Sequence, residues 1–192
     1  QKCNFIYGIK GEKFFCCVIT DITQQQQNER LLNLYSSMDS LTRIFNREAI
    51  QRDIENIIQT TKDDFQHAFI MLDIDDFGAL NEKFGHDLCD LYLQRFGRVL
   101  LQPCKYGKTA GRIGGDEFAL MLVGAKEETV CEAAKEVCKQ IQSSFDEFTI
   151  SIGISICKNK NTTFDGLYRQ AFEALQEVKK NGKNGYQFYS DI

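Results

Sequence analysis

Two acidic clusters carry the residues best suited to chemistry. The first is Asp116-Glu117, set behind a glycine pair in Arg112-Ile113-Gly114-Gly115-Asp116-Glu117-Phe118. Paired glycines permit a tight turn with positive φ. Residues 109–113 and the apolar run Phe118-Ala119-Leu120-Met121-Leu122-Val123 supply two arms, so the stretch reads as a β-hairpin with carboxylates at its turn. Carboxylates in such a place act as general acid or base, as metal ligands, or as a plain solvated turn. The second cluster, Asp73-Ile74-Asp75-Asp76, ends another apolar run. Two such clusters at two strand ends are what a divalent-metal site needs.

The rest of the chain must position those clusters. Its 192 residues suffice for one sizeable domain and a little more, and 43% hydrophobic with 11% aromatic content suits a globular core. A net charge of −4 argues against a general nucleic-acid or anionic-membrane surface, but not against a nucleotide, whose charge a metal and a few lysines can meet. No apolar run reaches the length of a membrane span. The opening Gln1-Lys2-Cys3-Asn4 lacks the form of a signal peptide and reads like the middle of a longer protein. The eight cysteines make no Cys-x-x-Cys pair and the two histidines are far apart, which speaks against zinc. Reduced core thiols in a cytoplasmic protein, or in the cytoplasmic part of a longer one, are the expectation.

Residues 3–9 and 13–20 read as two strands joined at Lys10-Gly11-Glu12, and 24–38 as a helix in which Leu31, Tyr35 and Met38 have coiled-coil spacing below the polar Asn28 and Gln24. A single connecting helix and a dimerising coil both fit that pattern. Thr42 or Asn46 caps the next helix, 47–61, with Ile50, Ile54, Ile57 and Ile58 inward. A buried strand follows at 67–74, a short helix at 76–84 broken by Gly85-His86-Asp87, and a longer helix at 88–101. After the hairpin 109–123 come a helix at 127–144, a strand at 148–157, a helix at 164–180 ended by Asn181-Gly182, and a short strand at 186–189. From residue 47 the order α-β-α-α-β-β-α-β-α-β predicts an α+β sandwich with one sheet and helices across a face.

Residues 39–189 resemble the GGDEF domain family of diguanylate cyclases. The matching stretches are Asp39-Ser40-Leu41-Thr42 with Asn46-Arg47; Asp73-Ile74-Asp75-Asp76-Phe77; Asn81, Gly85-His86 and Asp90; the Arg112–Phe118 stretch; and Ala174-Leu175 with Lys179, Gly182, Lys183 and Asn184. The resemblance implies a central, mostly antiparallel sheet flanked by helices, like nucleotidyl cyclases and polymerase palms, with a ferredoxin-like core. It implies joining of two GTP into cyclic di-GMP with release of pyrophosphate, across a homodimer, with two Mg²⁺ (or Mn²⁺) ions per site. The implied ligands are Asp73, the carbonyl of Ile74, and Asp116; Asp116 or Glu117 also accepts the hydroxyl proton, and the sequence does not separate those roles. Asn81 and Asp90 are the implied guanine readers, since a carboxylate accepts from both N1–H and N2–H. Serine is typical at the Asp90 position in members making a mixed adenine–guanine product, so Asp90 favours cyclic di-GMP. His86 and Phe77 are expected near the nucleotide, and Lys179 and Lys183 at the triphosphate.

The sequence departs from the family pattern at several points. The usual lysine after Asp-x-Asp-x-Phe, a phosphate contact, is Gly78. The usual arginine is Lys183, which keeps charge but loses bidentate geometry. Cys89 stands for a glycine, Phe172 for an aspartate and Gln176 for a tyrosine. The window of the family's inhibitory Arg-x-x-Asp reads Lys105-Tyr106-Gly107-Lys108, so the usual product inhibition is not expected. Upstream, Ile19-Thr20-Asp21-Ile22-Thr23 before a polar helix resembles the exit of a PAS sensor domain. The expected organisation is a PAS-like remnant at 1–22, a linker helix at 23–38 and the GGDEF domain at 39–192. The expected partners are GTP, a second copy and an upstream sensor, without nucleic acid or membrane contact.

Overall fold

A computed structural model describes residues 2–7, 13–18, 21–24, 27, 36–60, 66–102, 107–125, 127–159 and 161–191. The chain divides into two units, Gln1–Ser36 and Ser37–Ile192. In the first, β1 (Lys2–Tyr7) and β2 (Lys13–Val18) pair antiparallel from Lys2↔Val18 to Tyr7↔Lys13. The expected turn at Lys10-Gly11-Glu12 and the seam positions Asn28, Leu31 and Tyr35 lie outside the described residues. Met38 leaves the expected helix: the helical turn ends at Ser37, and Met38 forms an antiparallel bridge with Phe45.

The second unit is built around β3 (Gln66–Ile74), buried at every position from His67 onward. It lies third in a five-stranded sheet, β4 (Gly107–Gly114), β5 (Glu117–Ala125), β3, β6 (Ile150–Cys157), β7 (Tyr186–Phe188). Every pairing is antiparallel except β6 with β7. Alternation sends Ala68, Ile70, Leu72 and Ile74 to one side and Phe69 and Met71 to the other. Helices therefore cover both faces rather than one, since the continuous apolar run of β3 needs a partner on each side. On the first face lie α3 (His86–Leu100) and α4 (Glu127–Gln142), through Leu93, Phe96, Leu100, Val137 and Ile141. On the second lie α1 (Arg47–Thr60) and α5 (Phe164–Lys180), through Ile50, Ile54, Leu167, Ala171 and Leu175.

Local chemistry sets the ends of these elements. Asn46, not Thr42, caps α1: its Oδ1 accepts from the Ala49 N–H at 3.0 Å. Gly85 (φ 81) alone separates α2 (Phe77–Phe84) from α3, so His86 starts a helix instead of sitting in the break. Phe148 lies outside β6 and stacks on Phe145, with ring centroids 4.7 Å apart. The buried Cys89, Cys138 and Cys157 are free thiols, as expected of core cysteines.

Gly153 fixes how closely α5 lies on the sheet. A Cβ built there would stand 1.9 Å from the Ala171 carbonyl oxygen and 2.5 Å from the Leu175 nitrogen, both backbone atoms of α5. Gly153→Ala must lift that helix, and an overpacked core costs about 1–3 kcal/mol. The variant is expected to unfold at lower urea concentration than the parent. An unchanged urea midpoint would contradict this packing.

Candidate active site

The two acidic clusters of the sequence meet at one end of the sheet. Asp73, near the end of β3, is the cross-strand partner of Glu117, the first residue of β5. The Ile74 N–H points to the Asp116 carbonyl oxygen at 3.4 Å. Between Gly114 and Glu117, themselves paired, the chain reverses through Gly115 and Asp116 alone, with Gly115 left-handed at φ 54. Nothing lies within 4 Å of where a Cβ would stand on Gly114 or Gly115, so a ligand has open approach to this backbone.

Arg112 holds the turn in place. Its Nε and Nη2 donate to the Gly115 carbonyl at 2.9 and 2.6 Å, and its Nη1 pairs with Asp39 Oδ1 at 3.2 Å. Asp39 Oδ1 also accepts from the Thr42 N–H at 2.8 Å and the Thr42 hydroxyl at 2.7 Å. Burial opposes ionisation of Asp39, but the Thr42 hydrogen bonds and the Arg112 charge outweigh it and hold the carboxyl below its ordinary value. The Asp39–Thr42 signature and the hairpin arginine are thus one device, joined across 73 positions of sequence. Arg112→Lys keeps the charge but loses the two-nitrogen grip on Gly115. Losing one charge-assisted contact of about 1.5–3 kcal/mol predicts a tenfold or greater fall in turnover with the circular dichroism spectrum unchanged. Parent-like turnover would show that the clamp is dispensable.

Asp73 is only 4% exposed, and Lys179 Nζ of α5 stands 2.7 Å from its Oδ1. Burial raises the carboxyl from 3.8 to about 6; Lys179 opposes that rise, and the charges of Asp116 and Glu117 add to it. Asp75, next along the chain, has a different role. It is buried and accepts from the Thr149 hydroxyl at 2.7 Å, the Ser151 hydroxyl at 2.6 Å and the Asn184 N–H at 3.1 Å. It ties the exit of α5 to β3 and the start of β6. Asp76 occupies the N-cap position of α2 in a left-handed conformation (φ 55), without a side-chain cap bond, and Lys183 Nζ lies 2.6 Å from its Oδ1. Both lysines expected at a triphosphate thus sit at this end of the sheet, each paired with a carboxylate.

The expected base-reading residues lie on the helical hairpin beyond Gly85. Asn81, half-buried on α2, accepts the Gly85 N–H through its carbonyl at 2.9 Å. His86 and Asp90 are exposed on the first turns of α3. Among the described residues no hydrogen bond or ion pair joins the side chains of Asn81, His86 and Asp90. Phe77 is half-buried and packs against the core under the hairpin. Gly78 is exposed, with nothing within 4 Å of a built Cβ.

Among the described residues, no group of three or more His, Cys, Asp or Glu side chains gathers closely enough to hold a metal unaided. The arrangement still suits a hard cation shared with a substrate. Asp73 is a desolvated carboxyl beside two further acids, a site where added positive charge relieves both burial and repulsion. Mg²⁺ is commonly held by one or two carboxylates plus substrate phosphates.

A family model described as "Diguanylate cyclase, GGDEF domain" matches residues 36–185. The chain is 29% identical over 181 residues to "Diguanylate cyclase DgcM" of Escherichia coli, covering 92% of this chain and 44% of that protein. It is 25% identical over 183 residues to "Cyclic di-GMP phosphodiesterase PdeR" of Escherichia coli, covering 92% of this chain and 28% of that one. Among solved structures, the active GGEEF domain of a diguanylate cyclase from Vibrio cholerae superposes with a TM-score of 0.67 at 27% identity, covering 75% of this chain and 96% of that domain. The chain therefore spans less than half the length of both full-length relatives it matches here.

Proposed function

The chain belongs to the GGDEF family, and from that premise we propose that it is a diguanylate cyclase that condenses two GTP molecules into cyclic di-GMP and pyrophosphate. The observation that carries this reading is the pairing of buried Asp73 with the Asp116-Glu117 turn, with Lys179 at the same point. Asp73, the Ile74 carbonyl and Asp116 would hold divalent ions, Mg²⁺ or Mn²⁺ and two per site. When bound, such ions neutralise the triphosphate and lower the pKa of the attacking hydroxyl.

The chain's own residues do the rest. Lys179 and Lys183 exchange their carboxylate partners for triphosphate oxygens. Asn81 and Asp90 read guanine, with His86 and the exposed part of Phe77 bordering the nucleotide. Adenine would leave the Asp90 carboxylate unpaired, which penalises it. Asp116 or Glu117 takes the proton from the 3′-hydroxyl of one GTP. The 3′-oxygen then bonds to the α-phosphorus of the other, and pyrophosphate leaves with the electrons of the broken P–O bond; the same exchange in the opposite sense closes the ring and releases the second pyrophosphate.

One domain binds one GTP, so a homodimer must bring two half-sites face to face, under the control of an upstream PAS-like sensor. We place the domain in the cytoplasm, where GTP is available; no helix among the described residues is long and apolar enough to cross a membrane. Product formation from GTP and Mg²⁺ should rise faster than in proportion to enzyme at low concentration. Strict proportionality down to low nanomolar enzyme would count against the dimer. A second reading, a GTP-binding regulatory module without turnover, is favoured by Gly78, where the phosphate-binding charge is missing. GTP binding without product would establish it.

A further inference from the structure

Phe172 replaces the aspartate of the family pattern and has no part in the reaction above, yet among the described residues it is one of the few large apolar side chains left in solvent, 37% exposed. Its ring stacks on Tyr168, one helical turn earlier on α5, with centroids 6.3 Å apart and planes within 6°. The Arg47 guanidinium, at the start of α1, lies 5.8 Å from the centroid of the Tyr168 ring. This group adjoins the hairpin tip. Burial raises the Tyr168 hydroxyl above its ordinary value, and the nearby Glu117 charge at the hairpin adds to that rise while Arg47 opposes it. Two residues before Arg47, the Phe45 carbonyl accepts the Arg112 N–H at 2.8 Å.

We propose that Phe172 and Tyr168 of α5, with Arg47 of α1, form the surface on which a second copy of this chain seats when two half-sites close on one another. The proposal rests on the cyclase reading, which requires a second copy to approach the hairpin tip. Around the aromatic pair the surface carries both signs of charge, with exposed Arg47 and Arg169 beside exposed Glu48 and Glu173. A two-fold axis passing between the positive and negative residues of such a patch sets each sign against its opposite, as a self-complementary interface requires. Aromatic and arginine side chains are also the residue types that most often dominate such contacts.

The test uses the full chain. Phe172→Glu places a charge in the proposed contact without touching the groups that bind GTP or metal. The enzyme concentration giving half-maximal specific activity should rise about tenfold or more, with the plateau activity and GTP affinity of the parent retained. Leu101→Ala, a still more exposed apolar site just past the C-terminal end of α3, should change neither. A photo-crosslinker, p-benzoylphenylalanine, in place of Phe172 should yield dimer on irradiation with a non-hydrolysable GTP analogue, and in place of Leu101 should not. The crosslink keeps the test valid if another segment also holds the two copies together. Crosslinking no greater at 172 than at 101 overturns the proposal, whatever the concentration dependence of Phe172→Glu. An inactive parent that still crosslinks selectively through position 172 overturns the cyclase reading and leaves the interface standing.

Discussion

Asp73→Asn is expected to abolish cyclic di-GMP synthesis while making the ligand-free domain more stable. The loss of turnover should reach roughly a thousandfold, the order found when a charge-stabilising group is removed from a preorganised site. The gain in stability follows from the raised carboxyl of Asp73. Its folded value is about 6 against 3.8 unfolded, so between these values the folded state holds a proton that the unfolded chain has released. Stability then falls as pH rises through that window and does not return above it. A shift of that size corresponds to about 3 kcal/mol at most, and partial exposure of Lys179 and solvent access near the site reduce it to about 1–2 kcal/mol. Asparagine removes the buried charge and frees Lys179, 31% exposed, to reach water. Urea denaturation without metal at pH 7.5 should show a higher midpoint for Asp73→Asn than for the parent, and at pH 4 the difference should close. A variant less stable than the parent at pH 7.5 would mean that the Lys179 ion pair outweighs the burial of Asp73.

Gly78→Lys should raise kcat/KM for GTP. Position 78 lies in the first turn of α2, exposed, with open space where a side chain would begin, and two residues from Asp76, which Lys183 already approaches. A new charge-assisted phosphate contact is worth about 1.5–3 kcal/mol, or roughly a tenfold to hundredfold gain. Removing a glycine from a helix also favours the fold by about 0.5–1 kcal/mol. No change in kcat/KM would mean that Lys183 and Lys179 already meet the phosphates fully. A rise in activity with no change in metal dependence is the result that ties Gly78 to phosphate binding.

Sequence reasoning reached furthest where a signal was local. The continuous apolar run of β3 ended by acids, the glycine pair of the hairpin, the inward isoleucines of α1 and the stop at Asn181-Gly182 are all readable within a few residues, and each stands in the structure. It fell short where partners come from distant segments. Nothing near Arg112 reveals that its guanidinium, besides gripping Gly115 three residues on, reaches Asp39, because that contact exists only once the chain before α1 is laid along β4. Asp75 looks like its neighbour Asp73 in the sequence. Only Thr149, Ser151 and Asn184, brought in by β6 and the α5 exit, make it a tie rather than a free ligand. The choice between Thr42 and Asn46 as cap was likewise settled by a remote partner: Asp39 and Arg112 engage Thr42's segment, leaving Asn46 to the helix. The covering of both sheet faces follows from eight buried positions in β3, which a run of apolar residues suggests but cannot assign to particular helices.

The central claim is that Asp73 and the Asp116-Glu117 turn form one phosphoryl-transfer site. It is tested most directly by incubating the full chain with GTP and Mg²⁺ and measuring cyclic di-GMP and pyrophosphate together, beside Asp116→Ala. Two pyrophosphates per cyclic di-GMP from the parent, and neither product above background from a folded Asp116→Ala that still binds GTP, is the predicted result. A parent that binds GTP but forms no more product than Asp116→Ala would contradict it.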